Sequence, residues 1–169
     1  MKRLLLVLLT VQILSGALAQ SSYVGLHMSG IASSSGVTPF GGVRVGGPVA
    51  ADVELRLAGL TVILTNVFQF DVLYTQPLAE TLRGYAGGGG GVFQVVLFEA
   101  GTGDRDGRAL TVHATAGVEA DVGFGVGLFA EVQPTYVVGA PDRDIETLFG
   151  NEGAATFFGT LALGINLHF

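Results

Sequence analysis

The closing stretch of the chain, Phe157-Phe158-Gly159-Thr160-Leu161-Ala162-Leu163-Gly164-Ile165-Asn166-Leu167-His168-Phe169, carries a strict period of two. Leu161, Leu163, Ile165, Leu167 and Phe169 are large and apolar, and the residues between them are small or polar. In an extended chain successive side chains point to opposite faces, so this is a strand with one apolar and one small, polar face.

The same parity recurs upstream. Val126, Leu128, Ala130, Val132, Pro134 and Tyr136 alternate with Gly127, Phe129, Glu131, Gln133 and Thr135; Leu110, Val112 and Ala114 alternate with Thr111, His113 and Thr115. Shorter runs follow the rule around Val24-Gly25-Leu26, Val43-Arg44-Val45, Val53-Glu54-Leu55-Arg56-Leu57, Phe68-Gln69-Phe70-Asp71-Val72 and Leu82-Arg83. Eight strands and no convincing helix result. Short turns are expected at 46–50, 76–81 and 121–125, and longer loops at 32–38, 87–108 and 139–156. Apolar parity shifts between Leu57 and Leu60, which places a tight turn or bulge somewhere in 58–66.

The leading residues read differently. Met1-Lys2-Arg3 is cationic, 4–14 is an apolar run, and Ala17-Leu18-Ala19 is a small-x-small cleavage pattern. This predicts a signal peptide over 1–19 and a single domain over 20–169. The run is too short for a helical span, which needs roughly 20 residues.

Composition narrows the class. Apolar residues make up 49% of the chain and charged residues 13%, about half the usual charged share. Eight basic residues face 14 acidic ones, so there is no footprint for nucleic acid. The absence of cysteine removes disulfides, thiolate metal sites and a cysteine nucleophile. A soluble barrel would turn its apolar face inward and cover the other with Lys, Glu, Asp and Thr. Here the polar face is built of Gly, Ala, Ser and Thr with a few charges, which suits a narrow interior, while the apolar face suits lipid. Tyr74 and Phe169 fall at short-turn ends and Tyr136 and Phe157 at long-loop ends, where interfacial aromatics belong. The expected fold is therefore all-β, an eight-stranded antiparallel up-and-down transmembrane β-barrel.

With a signal peptide, eight alternating strands and a terminal Phe169 backed by Leu167, Ile165, Leu163 and Leu161, the chain resembles the small outer-membrane β-barrels of the OmpA/OmpX type. The resemblance implies a place in the cell outer membrane, periplasmic termini and contact with outer-membrane lipid. It also implies that the terminal residues serve as the signal read by the barrel-assembly machinery. A monomer, no cofactor and no nucleic-acid partner are expected. A structural or surface-interaction role is favoured over a lipid-modifying enzyme, a small porin and a soluble ligand-binding barrel.

Inward parity gathers the charges Arg44, Glu54, Arg56, Asp71 and Glu131. Heights counted from the short turns pair Arg44 with Glu54 and Arg56 with Asp71, with Glu131 at a similar level, giving an interlocked plug. Asp104-Arg105-Asp106-Gly107 and Asp142-Arg143-Asp144 read as solvated loop tips, since each carboxylate pair brackets an arginine and no EF-hand spacing follows. His27 and Ser29 point into the lumen by parity, and His113 with Glu131 on adjacent strands forms the other base-and-acid candidate. No catalytic residue is assigned. His168 reads as a lumen or rim residue. The five glycines 87–91 lack the Lys and Ser/Thr of a phosphate loop and read as a bent or flexible strand end. The apolar 92–98 that follows extends strand five, folds over the mouth or forms a contact surface.

Overall fold

A computed structural model describes residues 22–33, 36–62, 65–99, 103–138 and 157–169. The leader over 1–19 and the segment 139–156, with its Asp142-Arg143-Asp144, lie outside the described residues. Eight strands run in order: β1 Tyr23–Ser33, β2 Gly36–Ala50, β3 Val53–Val62, β4 Thr65–Ala79, β5 Leu82–Glu99, β6 Gly103–Gly123, β7 Val126–Val138 and β8 Phe157–His168. Each pairs antiparallel with its sequence neighbours, and β1 with β8 closes the barrel. Even the shortest strand, β3, has 10 residues, enough for a tilted membrane crossing of about 9–11.

The faces follow the alternation. Leu26, Met28, Leu161, Leu163 and Ile165 point outward and are exposed, whereas Arg44, Arg56, Asp71 and Glu131 point inward and are buried. The exposed Tyr136 and Phe157 are cross-strand partners at the loop end, and Tyr74 and Phe169 are exposed towards the turn end.

Several boundaries differ from the sequence reading. The turns are two residues each, at 51–52, 80–81 and 124–125; the last two lie within the expected 76–81 and 121–125, whereas the expected 46–50 is strand and its turn follows it. At the last, Gly123, Phe124 and Gly125 all have positive φ, which leaves Phe124 fully exposed in a left-handed conformation. At the opposite end the pairing continues to Ser33↔Gly36 and Val62↔Thr65. Within the longer loop expected over 32–38, residues 32–33 and 36–38 are therefore strand; β3 and β4 share an unbroken register up to Val62↔Thr65, so of the tight turn or bulge expected in 58–66 a bulge in 58–62 is excluded and a tight turn beyond Val62 fits. Leu60 broke the apolar parity because it points into the lumen.

The largest correction concerns 87–108. Residues 87–91 lie in the middle of β5, paired on both sides, and Asp104 to Gly107 lie in β6 opposite Phe98 to Val95. Glycine is required there by close approach: a Cβ at Gly89 would stand 1.7 Å from the Phe70 carbonyl oxygen and one at Gly87 2.1 Å from that of Val72. The apolar 92–98 extends β5, with its backbone paired to β6 as far as Glu99.

Candidate functional site

The candidate site is the barrel interior, layered along its axis. Nearest the turns lies a charged layer, above it a layer of hydroxyl and amide groups, and at the loop end an apolar layer. The inward parity that sequence supplies decides which residues enter; the tilt of the strands decides which of them meet.

Arg56 on β3 and Asp71 on β4 are direct register partners, and Arg56 Nε donates to Asp71 Oδ2 at 3.0 Å. The same guanidinium reaches across the lumen to grip Glu131 of β7 with both terminal nitrogens, Nη2 to Oε1 at 3.2 Å and Nη1 to Oε2. Fork-to-fork pairing of this kind is the strongest a carboxylate makes with a side chain. Asp71 also meets His113 Nε2 at 2.6 Å and accepts from Thr115 Oγ1 at 3.3 Å. Tyr85 Oη donates to Glu131 at 3.0 Å.

Arg44 does not meet Glu54. It stands opposite Ala58, whereas Glu54 stands opposite Pro48, close to the β2–β3 turn. Arg44 instead donates to Asn166 Oδ1 at 2.9 Å and to Glu131 Oε2 at 3.2 Å, and its guanidinium lies 3.2 Å from the centroid of the Phe129 ring. Glu54 takes Arg83 at 3.3 Å and the Tyr23 hydroxyl. Glu119, passed over in the sequence, is a second hub: Arg83 at 3.1 Å, His168 at 2.6 Å, Asn166 Nδ2, and Arg44 at 3.7 Å all converge on it. Its inward parity beside Thr115 and Gly117 was the available signal.

The base-and-acid candidate fails on geometry. His113 faces Thr135 across β7 and binds Asp71, while Glu131 stands opposite Gly117. His27 and Ser29 are buried in the lumen. His168 sits at the rim, with its side chain 23% exposed. No cluster of three or more His, Cys, Asp or Glu able to hold an ion occurs among the described residues.

The interior is less uniformly small than expected. Tyr23, Tyr85 and Phe129 point inward, each against a glycine of another strand: a Cβ at Gly46 would lie 2.6 Å from the Tyr23 hydroxyl, at Gly117 2.5 Å from Tyr85, and at Gly164 2.6 Å from Phe129. Glycine on one strand makes room for the aromatic ring of its register partner on the next. Beyond the charged groups, Gln69 Nε2 donates to Gln133 Oε1 at 2.9 Å, and Gln133 Nε2 donates to Thr115 at 3.3 Å. The loop end is then filled by one apolar side chain from each of β2 to β8: Phe40, Leu60, Val67, Phe93, Ala109, Val137 and Phe158.

No protein-family model matches the chain, and no curated protein matches it in sequence. Solved structures do. The N-terminal β-barrel domain of Pseudomonas aeruginosa OprF matches with a TM-score of 0.58 at 16% identity, covering 87% of this chain and 97% of that one. Neisserial surface protein A matches with 0.62 at 14%, covering 88% and 96%. Ail, the attachment invasion locus protein of Yersinia pestis, matches with 0.58 at 12%, covering 89% and 97%. With its closed antiparallel sheet, apolar outside and charged interior, the chain has the fold of the small eight-stranded outer-membrane barrels of the OmpA/OmpX type.

Proposed function

We propose that this chain is a monomeric outer-membrane barrel protein with a plugged interior and a structural or surface-interaction role, its termini in the periplasm. The observation that carries the reading is the inversion of polarity. Outward side chains such as Leu26 and Met28 are 65% and 71% exposed, while Arg56 and Asp71 inside are 2% and 0% exposed. Lipid outside accommodates that belt, and a sheet closed on itself presents no free strand edge to it.

Plugging is supported by the filled charged and apolar layers and argues against the porin reading. The non-enzymatic reading draws on the burial of Ser29, His27 and His113 inside the barrel and on the engagement of His113 with Asp71. A role at the cell surface draws on the names of two similar structures, a neisserial surface protein and an attachment protein. Leu161, Leu163, Ile165, Leu167 and Phe169, which are all exposed on β8 and its end, present the alternating apolar pattern proposed as the contact for the barrel-assembly machinery.

The test is fractionation of cells producing the full chain, with gel mobility of unheated and boiled samples. Recovery with the outer membrane and a compact band that shifts on boiling are expected. Recovery in the soluble periplasm with no shift overturns the reading.

A further inference from the structure

From β1 to β7 the chain itself sets the register, because consecutive strands are joined by only two or three residues. β8 has no such constraint. It follows β7 across the much longer segment 139–156, and it meets β1, at the other end of the sheet, with no connection at all. Its outer face does not settle the matter either. Leu161, Leu163, Ile165 and Leu167 stand opposite Gly30, Met28, Leu26 and Val24 of β1 and opposite Val132, Ala130, Leu128 and Val126 of β7. A slip of two residues keeps the faces and again sets aliphatic side chains against aliphatic ones.

The lumen side of β8 is more particular. Asn166 lies between two glycines, Gly25 of β1 and Gly127 of β7. A Cβ at Gly25 would stand 2.2 Å from Asn166 Oδ1 and one at Gly127 2.4 Å from Glu119 Oε1, so the two glycines leave the slot that this amide and its partner fill. There Asn166 donates through Nδ2 to Glu119 of β6 and accepts from Arg44 Nε of β2 at 2.9 Å. It thus meets one acidic and one basic group from strands that are not its neighbours. His168, two residues on, meets the other Glu119 oxygen at 2.6 Å.

Either slip breaks this arrangement. Towards the loops, Asn166 would enter the place of Gly164, where even a Cβ would lie 2.6 Å from the Phe129 ring. Towards the turns, Gly164 would enter the slot, Arg44 would lose the amide oxygen, and His168 would pass beyond the rim. We infer that Asn166, held by Glu119 and Arg44, is the register lock of barrel closure: among the registers that the apolar outer face allows, it selects the one in which β8 meets β1 and β7. A single hydrogen bond to a charged group is worth about ten- to hundredfold in such an equilibrium. The inference is independent of what the protein does at the membrane.

The chain has no cysteine, so an introduced disulfide can report the register. Met28→Cys with Leu163→Cys marks the observed pairing, and Met28→Cys with Leu161→Cys marks the slip towards the turns. Diagonal neighbours, about 7–8 Å apart, are too distant to be bridged. Protein folded in liposomes is oxidised, boiled and run on a non-reducing gel. In the otherwise unmodified chain the first pair is expected to close and the second to stay open. Gly164→Asn with Asn166→Gly moves the amide two places along β8, and the disulfide is expected to move with it, from the first pair to the second. A residue that merely stabilised the barrel would weaken it without moving the disulfide. An exchanged chain that folds and still closes only the first pair therefore overturns the inference. Should the exchanged chain fail to fold, Asn166→Ala is read with the same two pairs. The ratio of second to first disulfide is then expected to rise by about tenfold or more, and an unchanged ratio overturns the lock.

Discussion

Arg56 on β3 and Asp71 on β4 face each other directly across one ladder, Nε to Oδ2 at 3.0 Å, and neither side chain is open to solvent. The same arginine also holds Glu131 from the far wall, so one guanidinium ties adjacent strands together and spans the lumen. Removing it leaves Asp71 to His113 and Thr115 and Glu131 to Arg44 and Tyr85, each short of its guanidinium partner in a buried place. Arg56→Met is expected to destabilise the barrel by about 3–5 kcal/mol, the range for breaking a buried pair. Adding Asp71→Leu recovers only part, because Glu131 keeps its charge and His113 loses its carboxylate partner. Urea unfolding in liposomes measures both; full additivity of the two losses would show that the residues do not interact.

The lipid belt makes a separate prediction. Leu163 is 56% exposed on the outer wall, between Met28 of β1 and Ala130 of β7. Leu163→Arg is expected to lose roughly 2–4 kcal/mol of folding free energy if that position lies near the bilayer midplane. The same change at Phe124, which lies in a turn, is expected to lose far less. Equal losses at the two positions would place the lipid face elsewhere.

Phe93 and Phe158 belong to the apolar layer, with ring centroids 6.4 Å apart. An apolar constriction excludes ions by refusing them water. Planar-bilayer recordings of the unmodified protein are expected to show no stable conductance, and Phe93→Ala with Phe158→Ala is expected to stay closed, because the charged layer still fills the lumen. Stable conductance in the unmodified protein would favour the porin reading over the plug.

Gly117 and Tyr85, register partners on β6 and β5, test the pairing of glycine with aromatic ring across a ladder. A Cβ at Gly117 would come within 2.5 Å of the Tyr85 ring and hydroxyl. Gly117→Ala is expected to destabilise by about 1–3 kcal/mol through overpacking. Combining it with Tyr85→Ala is expected to lose less than the sum of the two single changes. Thermal denaturation in detergent, read by the heat-modifiable band, measures this, and strict additivity would argue against the steric account.

What the sequence determined by itself is whatever depends on neighbours along the chain. Alternation of side chains is a local property of an extended backbone, so the strands, their inward and outward faces and the inward set Arg44, Glu54, Arg56, Asp71 and Glu131 were all legible. Arg56 and Asp71 could be matched because a tight hairpin ties their register to sequence distance. Residues 87–91 resisted reading because glycine is ordinarily a breaker, and only close packing against β4 and β6 makes it a strand. Leu60 looked like a parity error because the apolar layer it belongs to draws one residue from each of seven strands. Glu119 as a hub, Arg44 with Asn166 and Glu131, and Glu54 with Arg83 were decided by tertiary structure alone. The physical reason is closure: bending the sheet round until β1 meets β8 brings opposite walls within reach of an arginine side chain, and that distance is written nowhere along the chain.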